Sequence, residues 1–316
     1  MRNRTLASAL AACLALAAAA PGADLVRLSQ TISTDAQIAD EKGFFTDQGI
    51  KIQWTGKQAH GPAVLVTVAA GENDFAGTVT SSVVLARVRG AKLRIIAATS
   101  ASSLKRPFFR YLVKDSSPIK SAKDFVGKKV VAQPTTITWY PLVVWLKHQG
   151  VDYNQVEFVS LPSPLATLQA FHEGKVDAIA AIDSAPPATM LLAEGGVHYV
   201  PGISDAEVLG VTQVSGWATT DDFIARHPGV VKRFVKALSL AVAWGNAHPA
   251  EAEAILNRLN DVPAAAAKYA AWRPGTPAVK VDPDSIRRWV SILEDFGQVK
   301  PGEVKPEDLY TNQFNP

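Results

Sequence analysis

Leu65-Val66-Thr67-Val68-Ala69-Ala70-Gly71-Glu72-Asn73-Asp74-Phe75-Ala76 and Leu168-Gln169-Ala170-Phe171-His172-Glu173-Gly174-Lys175-Val176-Asp177-Ala178-Ile179 stand about a hundred residues apart and share one pattern. In each, an amphipathic helix pattern ends at a Gly, an Asp follows three positions later, and a small apolar strand begins. A Gly just past the last helical residue supplies a left-handed C-cap. An Asp suits the turn that precedes a strand. Any α/β domain needs several such joints, but two matched ones predict two similar lobes with a cleft between them.

The chain around these phrases alternates strand and helix. Strands are predicted at 25–30, 50–54, 75–77 and 93–99; the chain then passes through 108–113 into a second series, with strands at 129–132, 156–161, 178–182, 208–213 and 216–219. Helices are predicted at 36–45, 62–70, 81–89, 139–149 and 165–173, with another starting at Pro186 or Pro187. That alternation implies βαβ units and mostly parallel sheets. From Asp221 onward the pattern is almost wholly helical, at 221–226, 229–247, 250–259, 264–272 and 283–296. If the second lobe is inserted into the first, the crossings fall near 106–114 and 206–218, and the tail packs back on lobe one. The expected partition is 1–23 as leader, 24–110 plus 214–316 as lobe one, and 111–213 as lobe two.

Residues 1–23 have the form of a Sec-type signal peptide. Arg2 and Arg4 precede an apolar run from Leu6 to Ala20, then Pro21-Gly22-Ala23. That run is too short to span a membrane. Leu10-Ala11-Ala12-Cys13 has the letters of a lipobox, but Cys13 sits in the middle of the run, so no lipid anchor is expected. Cys13 is the only Cys of the 316 residues. The mature chain therefore offers no disulfide, thiol nucleophile or Cys-ligated metal. Without Arg2 and Arg4 the formal charge of +3 becomes +1. Such a balance predicts neither a nucleic-acid nor an anionic-membrane partner. With 47% apolar residues the chain can bury a large core, and its length fits two domains.

No catalytic pattern stands out. The six His residues lack metal-ligand spacing, and there is no G-x-S-x-G elbow, Walker loop or G-x-G-x-x-G. Neither a cofactor nor a metal is expected. A binding cleft has better support, because ligands of open α/β sheets sit beyond the carboxyl ends of the strands. Four loops there carry the candidates: Ile32 and Ser33; Thr78, Thr80 and Ser81; Thr135, Thr136 and Trp139; and Asp183. Hydroxyls and free N–H groups at helix starts make an anion site without a basic side chain, although Ser and Thr also serve there as plain caps. Six residues beyond Asp74 lies Thr80, and six beyond Asp177 lies Asp183. If the lobes are related, these two occupy equivalent places and face each other across the cleft. Asp183 follows an apolar strand and needs a partner, either a ligand amine or hydroxyl or the start of the next helix. Trp139 and Trp217 either wall a pocket or pack in the core.

Five stretches resemble the periplasmic substrate-binding proteins for sulfonates, taurine and nitrate. They are Gly43-Phe44-Phe45 with Gly49-Ile50; Ala70-Gly71 with Asp74-Phe75-Ala76; the run from Ser117 to Val130; Gly174-Lys175-Val176-Asp177-Ala178; and Phe223-Ile224-Ala225-Arg226-His227-Pro228. The resemblance implies a type II-like two-lobe receptor with a helical C-terminal tail. Such a receptor captures a small anionic ligand by lobe closure and hands it to an inner-membrane ABC permease, as a monomer and without covalent chemistry. Family members often carry an aromatic residue, an acid and a Pro after the second-lobe strand. Here Ile182 replaces the aromatic and Pro186 is delayed, which leaves the ligand open between a sulfonate, nitrate, a carboxylate and an aromatic or pyrimidine compound. A secreted enzyme on the same fold and a ligand sensor are the alternatives in other classes.

Overall fold

The computed structural model describes residues 22–30, 34–57, 61–99, 101–183, 185–273, 275 and 278–316. The strands are β1 (Asp24–Gln30), β2 (Ile50–Lys57), β3 (Ala76–Val79), β4 (Leu93–Ala98), β5 (Phe109–Lys114), β6 (Lys129–Val131), β7 (Glu157–Val159), β8 (Ala178–Ile182), β9 (Val197–Ser204) and β10 (Ser215–Thr220). The helices are α1 (Thr34–Glu41), α2 (Phe44–Asp47), α3 (Gly61–Ala69), α4 (Thr80–Val88), α5 (Tyr140–His148), α6 (Pro164–His172), α7 (Ala188–Glu194) and α8 (Asp205–Leu209), followed by α9 (Asp221–Arg226), α10 (Pro228–Ala247), α11 (Pro249–Leu259), α12 (Ala264–Ala267) and α13 (Pro283–Asp295). No helix of the described residues is long and apolar enough to cross a membrane.

Two sheets with the same internal order form the two lobes. In lobe two the order is β7-β6-β8-β5-β9. In lobe one β3-β10-β4 is joined to β1-β2 by a parallel bridge between Leu28 and Phe75, giving β2-β1-β3-β10-β4. One strand of each sheet, β10 or β5, runs antiparallel to both neighbours, and the other strands are parallel. The reversed strands are the ones that carry the chain across from the other lobe, so their direction follows from the insertion.

The matched phrases occupy matched positions. Gly71 and Gly174 have φ of 75° and 68° and end α3 and α6. The next residue closes each helix: Glu72 N–H donates to Thr67 O and Lys175 N–H to Ala170 O, both at 2.9 Å. This is a Schellman cap, and it needs a left-handed residue where Gly is cheapest. β3 and β8 then take the central place of their sheets. Val79 pairs with Ser215, and Ile182 with Phe109. Just beyond, Thr80 N–H donates to Val214 O at 2.9 Å and Asp183 N–H to Phe108 O at 3.1 Å. Thr80 and Asp183 are thus structurally equivalent, as their spacing predicts.

Three elements differ from expectation. Val208 and Leu209, expected to begin a strand over 208–213, instead end α8, because Ser204 and Glu207 make a reciprocal capping box. The strand β9 just before it is unexpected in the sequence, where Pro201 and Gly202 mimic a turn. The helix predicted over 264–272 stops at Ala267.

The chain crosses between the sheets twice, and the crossings pair with each other: Ala101 bridges Gln213, and Ser102 N–H donates to Thr212 O at 3.0 Å. The helical tail does not pack on lobe one alone. α10 covers lobe one through Phe234, which stacks on Phe45 and Phe75. α13 lies against α4 and also reaches lobe two. There Trp289 packs edge-on to Tyr140, and Phe296 sits among Trp139, Tyr140 and Tyr153. One hydrophobic cluster therefore runs through both lobes, with Ile286, Trp289 and Leu293 of α13 at the joint.

Candidate ligand-binding cleft

A cavity of about 200 Å³ lies between the lobes. Thr34 and Gln37 of α1, Glu253, Leu256 and Asn257 of α11, and Asn260 just beyond it line one side. Ile182, Ala185 and Pro186 line the other, with Phe108 at the crossing and Ala270–Arg273 completing the wall. The Gln37 and Asn260 amides bond to each other reciprocally at 3.3 and 3.2 Å. Trp272 is held by its backbone N–H on Glu253 at 3.0 Å and its indole N–H on Asn246 Oδ1 at 3.1 Å. Its ring lies over Gly245, where an added Cβ would stand 2.5 Å from the indole. The walls are mostly apolar with a few convergent polar groups, as small-molecule sites usually are.

Charge concentrates at the lobe-two lip. Asp183 Oδ1 lies 3.4 Å from Arg110 Nη1, and Oδ2 lies 3.9 Å from Arg273 Nη2. The Arg110 guanidinium carbon lies over the Tyr199 ring, 3.7 Å from its centroid, and that of Arg273 lies 4.9 Å from the centroid of Phe108. Arg273 also donates to Pro107 O at 2.8 Å, and Arg106 donates to Trp272 O at 2.7 Å. Burial lowers the pKa of Arg273, opposed by Asp183 and Asp205. Asp205 is fully buried and accepts the N–H groups of Phe108 and Phe109 at 2.8 and 2.9 Å, which fixes the crossing. Its pKa is raised, chiefly by burial. The same cause raises the Tyr199 phenol, with Asp183 adding to it.

A larger groove, about 640 Å³, opens on lobe one around Arg27, Asp74, Asp222 and Arg226. It lies at the opposite ends of the strands, and these charges pair among themselves, Arg27 with Asp74 and Arg226 with Asp222. The interlobe cavity is the better candidate because it sits beyond the carboxyl ends of β8 and β1.

The model of the NMT1/THI5-like family matches residues 30–252. The chain belongs to that family. It is 26% identical over 232 residues to the taurine-binding periplasmic protein of Escherichia coli (strain K12), spanning 72% of this chain and 68% of that one. Among solved structures, the periplasmic aliphatic sulphonate binding protein SsuA from Escherichia coli superposes with a TM-score of 0.74 at 22% identity, covering 92% of this chain and 99% of the other. The desulfurization enzyme DSZB superposes with a TM-score of 0.66 at 16% identity, over 92% and 97% of the two chains. These superpositions establish the two-lobe periplasmic binding protein fold.

The sequence-predicted residues of this family member scatter around the cleft. Ile32 and Ser33 lie outside the described residues. Thr78, Thr80 and Ser81 are almost wholly buried, and the Thr80 hydroxyl donates to Gln213 O at 3.4 Å. The segment at Gln213–Val214 and α13 cover the start of α4, so Thr80 does not face Asp183 across open space. Thr135 adopts a left-handed φ of 61°. The Thr136 hydroxyl donates to Gln133 O at 2.7 Å, so it serves its own turn.

The two tryptophans require correction as pocket walls. Trp139 is buried edge-on among Tyr140, Tyr153, Phe158 and Phe296 at 5.3–5.9 Å. Trp217 is fully buried against Phe234, with its indole N–H on Asp35 at 3.0 Å. Packing the apolar area of an indole in a core outweighs leaving it at a wet cleft. Asp183 directly follows Ile182, which lines the cavity, and its carboxylate pairs with Arg110 and Arg273.

Sequence reasoning missed Arg110, Arg273, Trp272 and the α11 wall. The signals are faint. Arg110 interrupts an apolar strand, and Trp272-Arg273-Pro274-Gly275 breaks the helical tail.

Proposed function

We propose that this protein is an exported receptor that captures a small organic anion in the interlobe cleft and delivers it to an ABC importer in the inner membrane. Aliphatic sulfonates and taurine-like compounds are the first candidates. The observation that carries this reading is Arg273 in the lining of a mostly apolar interlobe cavity whose other polar groups include Gln37, Glu253, Asn257 and Asn260. A planar fork of donors suits the oxygens of a sulfonate, and apolar walls take up the organic body. Closure of the lobes around the crossings completes the enclosure. The relatives named for taurine and aliphatic sulfonates support the ligand class.

The working partition is 24–110 with 214–316 as lobe one and 111–213 as lobe two. Residues 1–23 serve as the leader that sends a monomeric receptor to the periplasm, with the permease as its partner there. Thr80 and Thr136 give their backbone N–H groups to Val214 O and Gln133 O, at 2.9 and 3.2 Å, and add no amide donor to this reading.

The likeness to DSZB raises an enzyme reading. With Cys13 in the leader, the mature chain brings no thiol to such chemistry. Stoichiometric binding without turnover supports the receptor; turnover of a ligand by the purified protein would replace it.

A thermal-shift and calorimetric panel of taurine, alkanesulfonates, nitrate, aromatic carboxylates and pyrimidines tests the ligand class. Ligand at a hundred times Kd stabilises by about 2.7 kcal/mol, which for this size is a rise of roughly 5–10 °C. A response to pyrimidines alone would overturn the anion assignment.

A further inference from the structure

The tail of the chain supplies most of the wall of the interlobe cavity, first through α11, then through Val262, then through Ala270–Arg273. Between these two runs it leaves lobe one. The four-residue helix α12 lies against α7 of lobe two, and Ala266 at its middle is buried. The segment thus borders the cavity and touches both lobes.

Its two ends are pinned to lobe one. At the first, α11 closes in a Schellman cap: Asp261 takes a left-handed φ of 52°, and Val262 N–H donates to Asn257 O at 2.9 Å. At the second, Asn246 of α10 accepts the Trp272 indole N–H at 3.1 Å and donates to Gly275 O at 2.7 Å. Trp272 N–H adds its bond to Glu253 at 3.0 Å. Nothing comparable holds the middle. Among the described residues, every hydrogen bond of residues 263–271 stays inside the segment: Ala266 and Ala267 N–H donate to Pro263 O at 2.8 and 3.0 Å, Tyr269 N–H to Ala266 O at 3.0 Å and Ala270 N–H to Ala267 O at 3.1 Å. Lys268 Nζ lies over the ring of its own neighbour Tyr269, 5.0 Å from the centroid. The element set on α7 is four alanines. Methyl groups bury little apolar area, and one helical turn is not stable by itself. A segment with fixed ends, local bonds and a weak seat opens at a small fraction of the global stability.

We propose that residues 262–271 form a strap that gates the interlobe cavity, seated on lobe two through α12 and swinging between the pins at Asp261 and Trp272. Seated, it completes the wall and ties the tail to lobe two. Lifted, it opens the cavity beside Asn257 and frees α7 to move with its lobe. The use of the strap as the entry to a ligand site rests on the receptor reading above; its motion does not.

The mature chain lacks Cys13 and has no other cysteine, so a single introduced thiol reports access. Asn257→Cys places it in the cavity wall, and Glu251→Cys places it on the exposed first turn of α11. With methyl methanethiosulfonate as the probe, the first should react at least about tenfold more slowly than the second. Adding Ala266→Glu, which sets a charge in the buried seat, should speed the Asn257→Cys thiol at least about fivefold and leave the Glu251→Cys thiol unchanged. Comparing one thiol with itself cancels any difference in thiolate fraction. Equal rates at the two positions, or no acceleration by Ala266→Glu, would overturn the proposal. If a melting curve shows that Ala266→Glu does not fold, hydrogen exchange of the wild-type chain decides. The amides of Ala266, Ala267, Tyr269 and Ala270 should then exchange together and at least about a hundredfold faster than those of the middle of α10, and exchange as slow as in α10 would overturn the strap. Neither measurement uses a ligand. A silent ligand panel overturns the receptor reading and wrong thiol rates overturn the strap, so the two failures are distinct.

Discussion

Asp74 and Arg27 tie the head of β3 to β1 through backbone and side chain together. Arg27 N–H donates to Asp74 Oδ2 at 2.7 Å, Asp74 N–H donates back to Arg27 O at 2.9 Å, and the guanidinium reaches Asp74 Oδ1 at 2.6 Å. Lobe two repeats the backbone part: Lys129 N–H donates to Asp177 Oδ2, and Asp177 N–H to Lys129 O, both at 2.8 Å. The Asp of each matched phrase is therefore more than a turn former. It staples a central strand to its parallel neighbour at the point where a helix delivers it.

The two staples should differ in strength. Asp74 is buried, and its loss also strands the Arg27 side chain, so Asp74→Ala should cost about 2–3 kcal/mol. Asp177 is partly exposed and lacks an arginine partner, so Asp177→Ala should cost about 1 kcal/mol. Urea denaturation of the two variants measures the difference. Equal losses would mean that the side-chain pair adds nothing to the staple.

Asp35 predicts a pH effect of unusual sign. It is buried at the start of α1, accepts the Trp217 indole N–H on both oxygens at 3.2 and 3.0 Å, and has its pKa pushed up to about 6 by burial. The unfolded chain releases the same proton near pH 4. Between these values the folded state holds more protons than the unfolded one, so the Asp35 contribution to stability falls as pH rises from about 4 to about 6 and is flat above. Asp35→Asn should remove a slope of order 1–3 kcal/mol over that window. Melting temperatures at pH 4.5 and 7 for both proteins test it. An identical pH difference in the two would refute the assignment to Asp35.

Gly245 should control the cleft from a distance. A Cβ there meets three atoms of the Trp272 ring at 2.5–2.9 Å. Gly245→Ala must push Trp272 out of its seat on Asn246 or into the cavity. Overpacking of this kind costs about 1–3 kcal/mol of stability. Ligand affinity should fall several-fold even though residue 245 does not line the cavity. Calorimetry on the folded variant measures this, and unaltered affinity would show that the Trp272 wall is not used.

Much of the fold was legible from short-range pattern. The helix-Gly-Asp-strand joints and the six-residue step to Thr80 and Asp183 depend on spacing, and spacing is local. Errors fell where local signals compete. Pro201 and Gly202 hide a strand that tertiary pairing with β5 sustains. Val208–Gln213 looks apolar enough for a strand, yet the Ser204–Glu207 box turns its start into a helix. The cleft was less legible. Hydroxyls at helix starts are common caps, and Thr136 proves to serve its own turn. Trp139 and Trp217 are indistinguishable in sequence from pocket walls, because burial depends on what packs over them.

The sequence by itself determined the alternation of elements, the two Gly-capped joints and the equivalence of Thr80 with Asp183, since each rests on backbone geometry set by neighbours within a few residues. Only the tertiary structure decided what surrounds Asp183. Arg110 and Arg273 lie 73 and 90 positions from it along the chain. Strand order brings the first beside it and the return of the helical tail brings the second. A carboxylate that spacing alone leaves open to an amine stands, in the fold, between two guanidiniums. Charge at a site is a sum over neighbours in space, and no local pattern carries that sum.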